Sequence, residues 1–119
     1  MFANLATGAD VTWDGKKFTN HRLGITGLMD QNGYLCFGPN CGGLIIQWIK
    51  GQGIEVKCTY PLAMMQFFTA TAVHLDNSPG IYHDRTTMFQ IHAPSNTSLT
   101  VVSQVASGSP EFLALIIGR

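Results

Sequence analysis

The sequence predicts an all-β fold, an antiparallel β-sandwich, on three observations. From Leu28 onward, short apolar runs are separated by clusters of Gly, Pro, Asn and Ser at intervals of about 8–12 residues, the spacing of sandwich and barrel strands. In Ile54-Glu55-Val56-Lys57-Cys58 the types alternate, so that Ile54, Val56 and Cys58 share one face and Glu55 and Lys57 share a wet one. No segment carries a convincing helical period.

The elements follow in order. Residues 1–27 hold Leu5, Val11, Trp13, Phe18, Leu23 and Ile25 as scattered anchors with no sustained period, so they are read as a lead-in. Within them Trp13-Asp14-Gly15-Lys16 predicts a small hairpin or sharp corner, because Asp and Gly both tolerate positive φ. Residues 28–119 form the main domain. Strands are predicted at Tyr34–Phe37, Leu44–Lys50, Ile54–Tyr60, Gln66–Leu75, Thr86–His92, Ser98–Val105 and Glu111–Ile117. Turn signals separate them at Asn32-Gly33, Gly38-Pro39-Asn40, Gly42-Gly43, Gly51-Gln52-Gly53, Asn77-Ser78-Pro79-Gly80, Ala93-Pro94-Ser95-Asn96 and Ser107-Gly108-Ser109-Pro110. In the tract Leu62–Asn77 the start, Leu62-Ala63-Met64-Met65, favours helix, and Phe67–Val73 favours strand; it is assigned as strand.

Two runs, Leu44–Ile49 and Phe112–Ile117, are apolar on both faces. With one predicted pair of sheets and no helix to cover the second face, the natural cover is another copy of the chain. Leu44, Ile46, Trp48, Phe112, Leu115 and Ile117 are assigned to this core and subunit packing. The last strand runs almost to the end of the sequence, so the C-terminus is read as structural, tied into a sheet.

The chain has 119 residues, suiting one compact domain. Seven Lys+Arg balance seven Asp+Glu, which removes the field that nucleic-acid or acidic-membrane binding needs. Charged residues make up 12% and apolar residues 45%; typical charged content is about 25%. Disorder is thereby excluded, and an uncharged surface of the kind hidden in oligomers is implied. The start, Met1-Phe2-Ala3-Asn4-Leu5-Ala6, lacks the basic and apolar parts of a signal peptide, and no run reaches the roughly 18 apolar residues of a membrane helix, so a soluble, unexported chain is expected. Cys36, Cys41 and Cys58 are an odd number without CxxC spacing and are expected to be reduced, half-buried thiols.

Gly42-Gly43-Leu44-Ile45-Ile46-Gln47-Trp48, Tyr60-Pro61-Leu62-Ala63 and the terminal Leu113-Ala114-Leu115-Ile116-Ile117-Gly118-Arg119, with Asn32-Gly33-Tyr34-Leu35-Cys36-Phe37 before them, resemble the C-terminal knob family of bacteriophage tail fibres. That family occurs in contractile-tailed phages similar to Mu and P2, in prophages and in phage-tail-like bacteriocins. The resemblance covers about residues 30–119; Ile49 and Lys50 stand where the family turns at a Gly directly after the Trp, and His74–Val105 has no counterpart. It implies a β-sandwich knob in an intertwined homotrimer at the distal tip of a tail fibre, made in the bacterial host cytoplasm and carried on the virion. The knob would attach the particle to lipopolysaccharide or another envelope glycan. Residues 1–27 would be the end of the fibre shaft or a small linking subdomain, and the partners would be sister chains, the rest of the fibre and a fibre-assembly chaperone.

For binding, Leu75–Arg85 is the best segment, because a pyranose offers both C–H patches and hydroxyls. Tyr82, His83, Asp84, Arg85 and Asn77 supply an aromatic face and planar or charged hydrogen-bonding groups, and Arg85 suits a phosphate or acidic sugar. The competing reading is a solvated hairpin loop. Asn96, in Pro94-Ser95-Asn96-Thr97, is a second candidate that lacks an aromatic neighbour. Glycan cleavage would need paired carboxyl groups about 5–9.5 Å apart, and Asp76 with Asp84 is the one plausible couple, against an ordinary role in turns. His74 and His92 lie near predicted strand ends and could converge, but none of His21, His74, His83 and His92 has ligand spacing. No metal or cofactor is therefore predicted. Nucleophile-elbow, phosphate-loop, dinucleotide and zincin motifs are missing, and the chain is read as a binding protein rather than an enzyme, the alternatives being a surface-glycan depolymerase using Asp76 and Asp84 or a purely structural trimerisation cap.

Overall fold

The computed structural model describes residues 11–75, 88–104 and 110–119. Ten strands lie among them: β1 (Val11–Trp13), β2 (Lys17–Asn20), β3 (Ile25–Leu28), β4 (Gly33–Cys36), β5 (Ile45–Gln52), β6 (Glu55–Thr59), β7 (Phe67–His74), β8 (Phe89–His92), β9 (Ser98–Ser103) and β10 (Glu111–Gly118), with one short 3-10 turn at Pro39–Cys41. They form a seven-stranded sheet in the order β1-β2-β3-β4-β5-β10-β7 and a three-stranded sheet in the order β6-β9-β8. All pairs are antiparallel, so the predicted fold class is borne out.

The Asp14-Gly15 hairpin forms between β1 and β2. Asp14 Oδ1 accepts the N–H groups of Lys16 (3.0 Å) and Lys17 (2.6 Å), and Gly15 adopts φ 103°, a conformation that suits glycine. These two bonds pull the Asp14 carboxyl below the usual carboxylate range. Asn20 repeats the device at the next turn, accepting from Arg22 and Leu23. Residues 11–28, which show no sequence period, thus form a three-strand meander that continues the large sheet. Strands of three or four residues hold too few alternations to register as a period.

The C-terminal strand lies inside the large sheet, next to its edge strand β7. β10 pairs along its length with β5 on one side and β7 on the other. Beyond it Arg119 is pinned to the Gln66 neighbourhood: its N–H donates to Gln66 O (2.9 Å), and its carbonyl accepts from Met65 (2.6 Å) and Gln66 (2.9 Å). The predicted structural role of this end is therefore borne out.

Between β5 and β6 the chain changes sheets at Gly53, whose φ is 142° and whose N–H donates to Pro110 O at 3.0 Å. Gly51 is needed for packing, since a Cβ there would overlap the Phe112 ring stacked against it.

The core lies between the sheets. Ile45 and Ile49 of β5 and Phe112, Ala114 and Ile116 of β10 face Cys58, Leu99 and Val101 of the small sheet, with Val56, Phe89 and Ile91 packed around them. On β6 the predicted alternation holds, with Cys58 buried and Glu55 and Lys57 exposed. Phe112 belongs wholly to this intrachain core, being 0% exposed. Ile46, Trp48, Leu115 and Ile117 alternate with core residues and therefore occupy the opposite face. Leu44 precedes β5, where its carbonyl accepts the Phe37 N–H and closes the Phe37–Leu44 loop. The reading of two ribbons apolar on both faces is resolved into one face sealed by the three-stranded sheet and one that no described residue seals, where Leu113 is 40% and Leu115 is 41% exposed.

Candidate functional site

Two surfaces can carry function: the end of the sandwich from which the predicted receptor segment springs, and the open face of the large sheet.

At the first, β5, β7 and β9 end and β6, β8 and β10 begin. Four backbone hydrogen bonds stitch this end together: Gly53 N–H to Pro110 O (3.0 Å), Leu75 N–H to Glu111 O (3.0 Å), Ser103 N–H to Ile54 O (2.7 Å) and Gln104 N–H to Met88 O (3.1 Å). Beneath them the Phe89 ring lies 6.2 Å from His74 and 5.6 Å from Phe112, so Leu75, the first residue of the predicted receptor segment, and Met88, beyond its end, stand on a firmly packed base. Asn77, Tyr82, His83, Asp84 and Arg85, and the alternative carboxyl couple Asp76 and Asp84, lie outside the described residues, as do the outer ends of two predicted strands at Thr86 and Val105.

Asn96 sits at the opposite end of the small sheet, where β8 ends and β9 begins. Its amide is engaged within the chain, donating to Met65 O (3.0 Å) and accepting from Phe67 N–H (3.0 Å). Tyr60 and Met64 dock on the same corner: the Tyr60 hydroxyl donates to Ser95 O (2.9 Å), and the Met64 N–H donates to Asn96 O (2.8 Å). The structure thus keeps Asn96 apart from Leu75 and Met88.

His74 and His92 do not converge. His74 pairs with Phe112 and shares its inward face, whereas His92 lies on the outward face of the small sheet, its Nε2 3.0 Å from Gln90 Oε1. They occupy different faces because Phe89, which meets His74, and His92 are an odd number of residues apart on one strand. No group of three or more metal-ligating side chains forms among the described residues. The cysteines are unpaired but unequal: Cys58 is buried, Cys36 partly buried and Cys41 exposed. Burial pushes the Cys58 thiol up.

The open face is built by register. Val73, Leu113 and Lys50 form one cross-strand row, Thr71, Leu115, Trp48 and Gly33 the next, and Thr69, Ile117, Ile46 and Leu35 the third. Trp48 is anchored by its indole N–H, which donates to Asp30 O at 2.9 Å, and its ring packs on Gly33, where a Cβ would lie 2.8 Å from Cζ2. Lys50 is the one charged residue in these rows. At its margin stand Val73, 53% exposed, and Phe68, 50% exposed. Exposed apolar side chains gathered on one sheet face make a candidate interaction surface.

Sequence reasoning missed Gln47. It lies in the apolar Leu44–Ile49 run, yet it is fully buried on the inner face and makes two hydrogen bonds to the backbone of Leu62. The available signal was a lone amide in a strand otherwise apolar on both sides.

No protein-family model matches this chain, and no curated protein matches it. Solved structures do. The N-truncated R2-type pyocin tail fibre superposes with a TM-score of 0.66 at 14% identity over 80% of this chain and 37% of its own. The R1 pyocin fibre of P. aeruginosa, a C-terminal piece, gives 0.61 at 22% identity over 80% of this chain and 28% of its own. A second R1-type fibre structure, also N-truncated, gives 0.62 at 23% identity over 80% of this chain and 85% of its own. The chain therefore spans little more than a third, or less, of the first two fibre chains. The resemblance to tail-fibre knob domains is borne out at the level of the fold.

Proposed function

We propose that this chain is the tip domain of the tail fibre of a phage, prophage or phage-tail-like bacteriocin, attaching the particle to a bacterial surface by non-catalytic, multivalent binding. The observation that carries the reading is the uncovered apolar face of β5, β10 and β7 in a fold shared with pyocin tail fibres. In this reading sister chains cover that face and form a homotrimer. The receptor is lipopolysaccharide or another envelope glycan, held by Tyr82, His83, Asp84, Arg85 and Asn77; Asn96 is a separate, second candidate at the opposite end of the small sheet. Three weak contacts on one rigid tip gain avidity from their high effective concentration. Residues 1–27, whose described part continues the large sheet, are the end of the fibre shaft or a small linking subdomain, residues 28–119 are the knob, and a fibre-assembly chaperone in the host cytoplasm attends folding.

The test is binding of fluorescently labelled protein to bacterial cells. Binding is expected to be blocked by added envelope polysaccharide and lost in the double variant Tyr82→Ala, Arg85→Ala. Unchanged binding by that variant removes the assigned site, and release of reducing ends from purified polysaccharide replaces adhesion with cleavage by Asp76 and Asp84.

A further inference from the structure

We propose that the free edge of β7 accepts a β-strand from a second copy of this chain, so that sister subunits are joined by main-chain hydrogen bonds as well as by face packing. This inference rests on the homotrimer reading above and specifies how the subunits meet.

β7 is the outermost strand of the large sheet, eight residues long, and among the described residues it pairs on one side only, with β10. An open edge offers a row of unpaired N–H and C=O groups to any passing strand. Proteins blunt such edges with charges, prolines or bulges. β7 reads Phe-Phe-Thr-Ala-Thr-Ala-Val-His, with no Lys, Arg, Asp, Glu, Pro or Gly. Its one irregularity is at Phe68, where the register with β10 shifts between Ile117 and Gly118, and Thr69–His74 run straight beyond it. The Phe67 N–H at its start is taken by Asn96 Oδ1, so the open stretch runs from Thr69 to His74, and an uncharged edge of that kind needs a cover.

The occupant follows from what the edge adjoins. Thr71 and Val73 stand beside Leu115 and Leu113, so the edge is continuous with the open apolar face. A strand added to β7 lays alternate side chains onto that face and meets no charged residue in these rows until Lys50 on β5. A strongly charged partner therefore finds no complement there. A second copy of this chain, 12% charged overall and carrying the same uncovered face, supplies both an uncharged strand and a matching surface.

Amide hydrogen exchange on the full chain, read by NMR, tests this. From Thr69 to His74 the amides alternate between those donating to β10 and those pointing to the edge, and only these are scored, since Phe67 N–H is held by Asn96. Both sets are expected to exchange slowly in the native assembly. In Leu115→Lys, with Leu113→Lys added if the single change leaves the assembly intact, the chain is expected to become monomeric. The edge-pointing set should then exchange at least about tenfold faster while the β10-facing set stays slow. Fast edge amides in the intact assembly overturn the inference and leave the homotrimer standing. Edge amides that stay slow in the monomeric variant also overturn it, since the cover then comes from the same chain. A wild-type chain that is itself monomeric removes the homotrimer reading and this inference with it.

Discussion

Gln47 and Leu62 are joined as if they were two strand residues: the Gln47 side-chain Nε2 donates to Leu62 O at 2.7 Å, and its Oε1 accepts the Leu62 N–H at 2.8 Å. The amide copies a backbone pair and gives Leu62, which lies in no strand, the partners that a ladder would otherwise provide. It thereby fixes the corner at Tyr60–Gln66, which is also bonded to Thr97, Asn96 and Arg119. This explains physically why the Gly-Leu-Ile-Ile-Gln-Trp and Tyr-Pro-Leu-Ala segments belong together, since one clamps the other.

Gln47→Leu keeps the volume but removes both bonds and leaves the Leu62 N–H and C=O without them. The expected loss is about 1–3 kcal/mol, read as a lower denaturant midpoint with an unchanged slope. Gln47→Glu should lose more, because an ionised carboxylate would sit at a site that is 0% exposed.

Asn96→Ala should lower stability by about 1–2 kcal/mol, since it breaks the bonds to both Met65 O and Phe67 N–H. Thermal unfolding monitored by circular dichroism measures the loss, and an unchanged midpoint would mean that the bridge contributes nothing to the folded state.

Gly51→Ala should be destabilising by about 1–3 kcal/mol through overpacking, because the new methyl group meets the fully buried Phe112 ring. Gly15→Ala is the contrast: nothing lies near its Cβ position, so any loss there comes from holding a non-glycine residue at φ 103°. Denaturant melts of the two variants separate clash from backbone strain.

How much of this was legible in the sequence depended on range. The strands from β4 to β10 were readable because alternation and turn residues act within a few positions, and Asp14-Gly15 was readable because its bonds are local. The clamp from Gln47 to Leu62 spans 15 positions and that from Asn96 to Met65 spans 31, and no local period encodes such pairings. The strands of residues 11–28 were hidden because each is too short to show a pattern, and their pairing partners alone define them. The open face was legible as a surplus of apolar residues. Which residues were surplus became clear only once the small sheet had claimed Phe112, Ala114 and Ile116 for the core.

Alkaline pH should loosen the fold. Burial raises the Cys58 thiol above its ordinary 9.0. Burial, with Cys58 nearby, raises the Tyr60 hydroxyl above its ordinary 10.0. The folded chain then holds protons that the unfolded chain releases, so the stabilisation is complete below the unfolded values and falls as pH rises past them. Denaturant melts from pH 8 to 11 should show stability falling from about pH 9 upward, and Cys58→Ala should remove the earlier part of the fall. At the acid end the signs reverse for Asp14 and Asp30, both lowered mainly by backbone N–H donors, whose contributions persist above the ordinary carboxylate value and fade as pH drops through their folded values.

The most direct check of the subunit arrangement is the mass of the native particle in solution. Multi-angle light scattering at micromolar concentration should return three times the 12.9 kDa chain, collapsing toward a single chain when Leu113 and Leu115 are both replaced by Lys. A wild-type protein that elutes as one 12.9 kDa chain would contradict the claim that sister subunits cover the open face.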